Sequence, residues 1–180
     1  MSGIATTTRH LIEKLGQKNS NVKIAATRKT SLGLLYFDKK AVMIGGGDPH
    51  RLHLDDMVLI KDNHIAVAGG VEKAVRKAKA SVSFSKKIEV EVTKPADALK
   101  AAAAGADIIM LDNFSVDKIN YTVELLKKKG FFGKVLLEAS GGISEKNLLE
   151  YAATQVDILS LGELTHSVKA LDISLEIIGK

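Results

Sequence analysis

The stretch that decides the fold runs from Lys87 to Asn113. It opens as Lys87-Ile88-Glu89-Val90-Glu91-Val92, passes through Pro95 into the alanine-rich segment Ala96 to Ala104, and closes as Ile108-Ile109-Met110-Leu111-Asp112-Asn113. Proline suits the first turn of a helix, where its missing N–H is not needed, so the middle reads as a helix between two short apolar strands. Strand, helix, strand in this rhythm predicts a parallel pair joined by a right-handed crossover. Glu89 and Glu91 share one face of the first strand by its period of two. Buried carboxylates are rare unless paired, so these two are expected to face the polar mouth of a barrel rather than its apolar shell.

The same alternation continues on both sides. Strands are expected at Val22 to Ala26, Met57 to Ile60, Val135 to Glu138 and Ile158 to Leu161. Helices are expected at Thr6 to Gln17 (entered through threonine caps), Val71 to Ala80, a Ser115-capped stretch to about Lys128, and a Ser144-capped stretch through Tyr151. Leu32 to Phe37 fits helix and strand equally well. An internal repeat supports the scheme: Ala102-Ala103, Asp107-Ile108 and Leu111-Asp112 are echoed fifty residues later by Ala152-Ala153, Asp157-Ile158 and Leu161-Gly162. The expectation is one α/β domain over residues 1–180, an incomplete parallel α/β barrel of about seven strands.

Composition agrees. The chain has 180 residues, 46% apolar but only 4% aromatic, which suits a core of Val, Ile, Leu and Ala under parallel strands. There is no cysteine, so no disulfide and no thiolate metal site. No signal-like stretch opens the chain and no run approaches membrane-spanning length, so a cytoplasmic protein without a membrane partner is expected. The net charge of +5, with a pI near 9.3, favours anionic ligands. The basic residues are interspersed with acidic ones and aromatics to stack bases are scarce, which argues against nucleic acid.

Six polar signatures fall at the ends of the expected strands or on the turns after them: Thr27-Arg28-Lys29, His50-Arg51, Lys61-Asp62-Asn63-His64, Glu89 to Val92, Leu111-Asp112-Asn113 and Ser140-Gly141-Gly142. Barrel active sites are built at those strand ends, where the loops converge on one rim. Arginines, lysines, carboxylates and a glycine turn on one rim suit a phosphorylated polyanion. Lys61, directly after a buried run, is expected to point into the rim, either free or paired with Asp112. Ser140-Gly141-Gly142 ahead of a Ser144-capped helix would bind phosphate through backbone amides and the helix dipole, with Gly162 completing the site.

In that order the signatures resemble the quinolinate phosphoribosyltransferase family, the carboxylating nicotinate-nucleotide pyrophosphorylases. The resemblance runs from Ser2-Gly3-Ile4-Ala5-Thr6 to Asp172-Ile173-Ser174-Leu175 and includes Thr27-Arg28-Lys29-Thr30, Lys61-Asp62-Asn63-His64-Ile65, Glu138-Ala139-Ser140-Gly141-Gly142-Ile143 and Leu164-Thr165-His166-Ser167. It implies a pentosyltransferase that joins quinolinate to phosphoribosyl pyrophosphate with magnesium, releasing pyrophosphate and carbon dioxide and forming nicotinate mononucleotide for NAD biosynthesis. By the resemblance, Arg28, His50 and Arg51 match positions holding the quinolinate carboxylates. Lys29 and Lys61 match lysines between quinolinate and the donor's pyrophosphate. Glu91 and Asp112 match carboxylates near ribose and magnesium. Ser140, Gly141, Gly142, Gly162 and His166 match the 5-phosphate cradle.

The family begins with a separate N-terminal α/β domain, and this sequence starts where the barrel domain would. The resemblance implies a homodimer or higher oligomer in which that domain supplies interface and, from the partner subunit, one more arginine. A catalytically impaired fragment, an inactive remnant, or a barrel completed by a separate N-terminal domain partner are the matching expectations. Exposed apolar surface around Ile4, Leu11 and Leu15 is expected with them. A different barrel enzyme acting on a phosphorylated metabolite would share the glycine turns but would not need the Arg28, His50 and Arg51 cluster. Departures from the family are Ser31-Leu32-Gly33 for threonine-proline-glycine, Asp48-Pro49 before His50, and Glu163 for a small residue beside the phosphate turn.

Overall fold

A computed structural model describes residues 1–16 and 21–179. Six strands are present among them: β1 (Lys23–Ala26), β2 (Val58–Ile60), β3 (Ile88–Val92), β4 (Ile108–Asp112), β5 (Leu136–Ser140) and β6 (Ile158–Leu161). They form one parallel sheet in the order β1-β6-β5-β4-β3-β2. The first two strands of the chain therefore sit on opposite edges. Side chains from all six strands wall a single cavity, so the sheet is curved around it as a barrel with one open seam. On the β1 side of that seam Asp48 adds a parallel bridge, through Asp48 N to Ile24 O at 2.8 Å and Ala26 N to Asp48 O at 3.0 Å.

The central unit is as its sequence dictates. On β3, Ile88, Val90 and Val92 are buried toward the helices while Glu89 and Glu91 face inward. Helix α5 (Pro95–Ala104) starts on its proline and stops at Gly105, whose left-handed φ of 89° lets its amide cap Ala101 and Ala102. Its buried face is Ala98, Ala101 and Ala102, small enough for close approach to the sheet. Helix α6 (Val116–Lys128) begins where Ser115 accepts a hydrogen bond from Lys118 N. Helices α3 (Asp62–Ala68) and α4 (Val71–Ser81) fill the β2–β3 crossover.

The repeat has a physical meaning at the lower end of the sheet. Asp107, just before β4, accepts from Ile88 N at 2.8 Å while its own amide donates to Ile88 O. Asp157, just before β6, does the same to Leu137, at 2.7 Å. Each aspartate clamps the neighbouring strand in register.

Four expectations are corrected. Leu32 to Phe37 supplies no seventh strand: α2 (Leu35–Ile44) takes its second half, because Asp38, Ala41 and Val42 bury one helical face. Helix α1 (Ser2–Gly16) starts before the threonines, and Thr8 is buried within it, donating to Ile4 O at 2.8 Å instead of capping; Gln17 lies outside the described residues. Ile4, Leu11 and Leu15 are buried in the core, since α1 packs on β1 and α2. Finally, no helix starts at Ser144. Helix α7 (Leu148–Ala152) begins later and has five residues, after a turn in which Asn147 Oδ1 accepts from Ser144 N. No described helix is long and apolar enough to cross a membrane.

Candidate active site

A cavity of about 600 Å³ opens at the C-terminal ends of the strands. Its wall includes Arg28, Lys29, His50, Arg51, Lys61, Glu91, Asp112 and Ser140, eight of the residues that the sequence singles out. Lys61 and Asp112 thus share one end of the sheet. Arg28 and Lys29 leave β1, and Thr165 on α8 (Glu163–His166) holds the Lys29 carbonyl with a 2.7 Å hydrogen bond. Lys61 ends β2 as the N-cap residue of α3, and its amide donates to His64 Nδ1 at 3.0 Å. Its ammonium binds Glu91 Oε2 at 2.7 Å, not Asp112. Asp112 ends β4 and accepts from the Asn113 side chain at 2.8 Å. Glu91 and Asp112 are oxygen donors on one wall, the hard-ligand chemistry that suits magnesium.

The glycine turn lies next to this wall. Gly141 has a φ of 93°, and a Cβ there would meet Asn113 Oδ1 at 2.3 Å and the Asn113 backbone N at 3.0 Å, so only glycine fits. Gly142 is also left-handed, with a φ of 63°. The helix-dipole part of the expected phosphate site fails, because the five-residue α7 starts six residues after Gly142. What remains is a turn with its amides unused by a helix. Gly162 draws the other side together: a Cβ on it would lie 2.9 Å from the His166 ring and 3.6 Å from Lys29 Cδ. Glu163 turns its carboxylate to the Glu145 amide at 3.0 Å.

Beneath the cations is a buried polar layer in which His50 and Glu89, expected at the mouth, meet Glu138 and Ser160, which strand-end position did not single out. Glu89 and Glu138 are both 0% exposed, and His50 reaches them from the seam, its Nε2 lying 3.2 Å from Glu138 and 3.6 Å from Glu89. Ser160 donates to the other Glu138 oxygen at 2.6 Å. Glu89 makes no hydrogen bond through either oxygen, and burial raises its pKa, with the Glu138 charge adding to the rise and His50 opposing it. For His50, burial alone pushes the pKa down and the facing carboxylates of Glu138 and Glu89 push it up, to about 9 on balance. The Arg51 amide makes the opposite demand: it donates to His50 Nδ1 at 2.8 Å, which a doubly protonated ring could not accept. That contact is the shorter of the two, and we read the ring as its Nε2–H tautomer. His50 itself is left-handed, at a φ of 53°.

Lys39 on α2 is the second missed group. It is 0% exposed, donates to the Pro49 carbonyl, and has its pKa pulled down to about 8 by burial and by the charges of Arg28 and Arg51. A further cavity of about 550 Å³ opens at the N-terminal ends of the strands, sharing His50 and Arg51 with the first. The rim signatures Lys61, Glu91 and Asp112 line the upper one, which is therefore the candidate site.

Cations, carboxylates and a glycine turn on the C-terminal rim of a parallel sheet define an α/β-barrel domain with a charged mouth. Residues 4–176 match the model of the quinolinate phosphoribosyl transferase C-terminal domain, and the chain belongs to that family. It is 52% identical over 179 residues to a probable carboxylating nicotinate-nucleotide pyrophosphorylase of Methanothermobacter thermautotrophicus, covering 99% of this chain and 64% of that one. The human carboxylating nicotinate-nucleotide pyrophosphorylase is 40% identical, with 99% and 60% covered. Among solved structures, NadC from Streptococcus pyogenes superposes with a TM-score of 0.88 at 43% identity, over 97% of this chain and 59% of that one. The chain spans roughly three fifths of the length of these relatives.

Proposed function

We propose that this domain transfers a phosphoribosyl group from phosphoribosyl pyrophosphate to quinolinate and lets the product decarboxylate to nicotinate mononucleotide. The observation that supports this most is the single rim cavity with Arg28, Arg51, Lys29 and Lys61 beside Glu91 and Asp112. Guanidinium forks grip planar carboxylates in two places, and would hold quinolinate with its ring nitrogen toward the ribose. As the nitrogen–C1 bond forms and the C1–oxygen bond to pyrophosphate breaks, positive charge grows on the ribose, where Glu91 and Asp112 can stabilise it. Lys29 and Lys61 meet the negative charge of the departing pyrophosphate. The ring nitrogen is then quaternary. The bond to the 2-carboxylate breaks, carbon dioxide leaves, and the electron pair left on the ring carbon is held by the adjacent positive charge until solvent supplies a proton.

Glu91 and Asp112 would hold magnesium, which would supply charge neutralisation of the pyrophosphate. The 5-phosphate would rest on the amides of Ser140, Gly141 and Gly142, with Gly162 and His166 on its other side. The longer relatives support a partnership with an N-terminal domain, and a homodimer or higher oligomer is part of the same proposal. The test is release of labelled carbon dioxide from carboxyl-labelled quinolinate, expected only with phosphoribosyl pyrophosphate and magnesium both present. Binding of neither substrate to the folded chain would reject the proposal.

A further inference from the structure

We propose that His50 works in this site as a positioning residue for Arg51, held by Glu138 and Ser160, and not as a hydrogen-bond donor to the ligand. The inference deepens the quinolinate reading above and rests on it for the ligand's identity. A neutral imidazole has one donor and one acceptor. Both are used within the protein. Nδ1 accepts from the Arg51 amide at 2.8 Å, and Nε2 faces Glu138 Oε2 at 3.2 Å. Glu138 is in turn fixed through its second oxygen by the Ser160 hydroxyl at 2.6 Å. The result is a continuous chain from β6 through β5 to the main chain of Arg51 on the open seam.

The surroundings are built for this purpose. Glu138 is 0% exposed and Ser160 3%, so water does not compete for the chain. The His50 amide donates to Asp48 Oδ1 at 2.7 Å, which fixes the left-handed turn that aims the ring inward. Such a backbone costs free energy for a residue with a side chain, and persists where its surroundings over-determine it. Lys39 holds the carbonyl just before the turn. With the amide of Arg51 anchored to the barrel interior, the residue lines the rim cavity from a fixed base. A pre-set cation loses less freedom when it grips a carboxylate.

The test is a thermodynamic cycle on the full chain, with quinolinate as the probe in calorimetry. Arg51→Ala and Glu138→Ala are each expected to weaken quinolinate binding roughly tenfold, and the double variant to bind within about twofold of Arg51→Ala alone, because the brace has nothing left to position. Glu138→Gln, which keeps shape and an acceptor, should stay within about threefold of wild type. Nitrogen-15 NMR should find the His50 proton on Nε2 in the free chain and unchanged when quinolinate is saturating. Losses that multiply in the double variant, or a His50 ring that gains or moves a proton on binding, would overturn the proposal. If the wild-type chain takes up no quinolinate, the reading of the site fails. The free-chain spectrum then still decides the brace: an Nε2–H tautomer at neutral pH upholds it and a doubly protonated ring refutes it.

Discussion

The two copies of the internal repeat agree at one end of the sheet and part at the other. At the lower end, Asp107 and Asp157 make the same paired hydrogen bonds to the neighbouring strand. At the upper end the matching positions are Asp112, a carboxylate on the cavity wall, and Gly162, a residue with no room for a side chain. Where the copies agree, the residues hold strand register; where they part, one copy puts a carboxylate on the cavity and the other leaves space. Left-handed residues with side chains occur at both ends, His50 and Asn113 at a φ of 53° near the rim and Gln155 at 63° just before the lower clamp. The buried charges gather at one end: Glu89, Glu138 and the ammonium of Lys39 all lie just beneath the rim. The rim spends stability that the clamps below help to supply.

That contrast can be broken at several points. The largest effect should come from Asp112→Asn, which removes a rim charge while keeping its shape. Turnover should fall a hundredfold or more, about 3 kcal/mol, while the melting temperature moves by no more than about 2 °C; steady-state kinetics and calorimetry on one preparation check both. Next is Lys39. Its folded pKa of about 8 lies below the usual 10.5 of a free lysine, so below pH 8 the full cost of the buried charge is present. As pH rises from 8 to 10.5 the folded state sheds the proton first, and stability from this group should rise by up to about 3 kcal/mol. Urea unfolding of wild type against Lys39→Met across that range should show the difference, and a constant difference would contradict it.

At the other end, Asp157→Ala should cost about 1–3 kcal/mol in unfolding free energy, leaving the Leu137 amide without its partner. Ligand affinity of the folded variant should stay within about twofold of wild type, and a larger loss would dissolve the division between the two ends. The smallest stability effect belongs to Lys61→Met. Its half-exposed pair with Glu91 should contribute under about 1 kcal/mol, yet binding of phosphoribosyl pyrophosphate should weaken about tenfold, which separates the two roles in one variant.

Much of this was legible in residue order. The alternation of periods located all six strands, and strand-end position put Lys61, Glu91 and Asp112 on one rim. The failures have physical causes. Leu32 to Phe37 carries apolar residues on every side, so its period is undefined until Asp38, Ala41 and Val42 find a surface to bury against. Ser144 looks like a cap, and Asn147 does reach back to its amide as the third residue of a capping box would, yet only a turn follows and the helix begins at Leu148. Lys39 sits in the run Asp38-Lys39-Lys40, which has the look of a solvated face; only the packing of α2 beneath the arginines reveals otherwise. Glu138 was within reach: it alternates with Ser140 on β5 as Glu89 does with Glu91 on β3, and the same period of two would have turned it inward.

The seam has one more consequence. With β1 and β2 on opposite edges, the chain between Ala26 and Val58 is a strap across the gap, and Arg28, Lys29, His50 and Arg51 all ride on it. Glu91 and Asp112 belong instead to the strands, tied to their neighbours by main-chain ladders. The mouth is thus a clasp with one rigid jaw and one slung jaw. Widening of the gap would carry Arg28, Lys29 and Arg51 away from Glu91 and Asp112 as a group, while Lys61 would stay with its Glu91 partner.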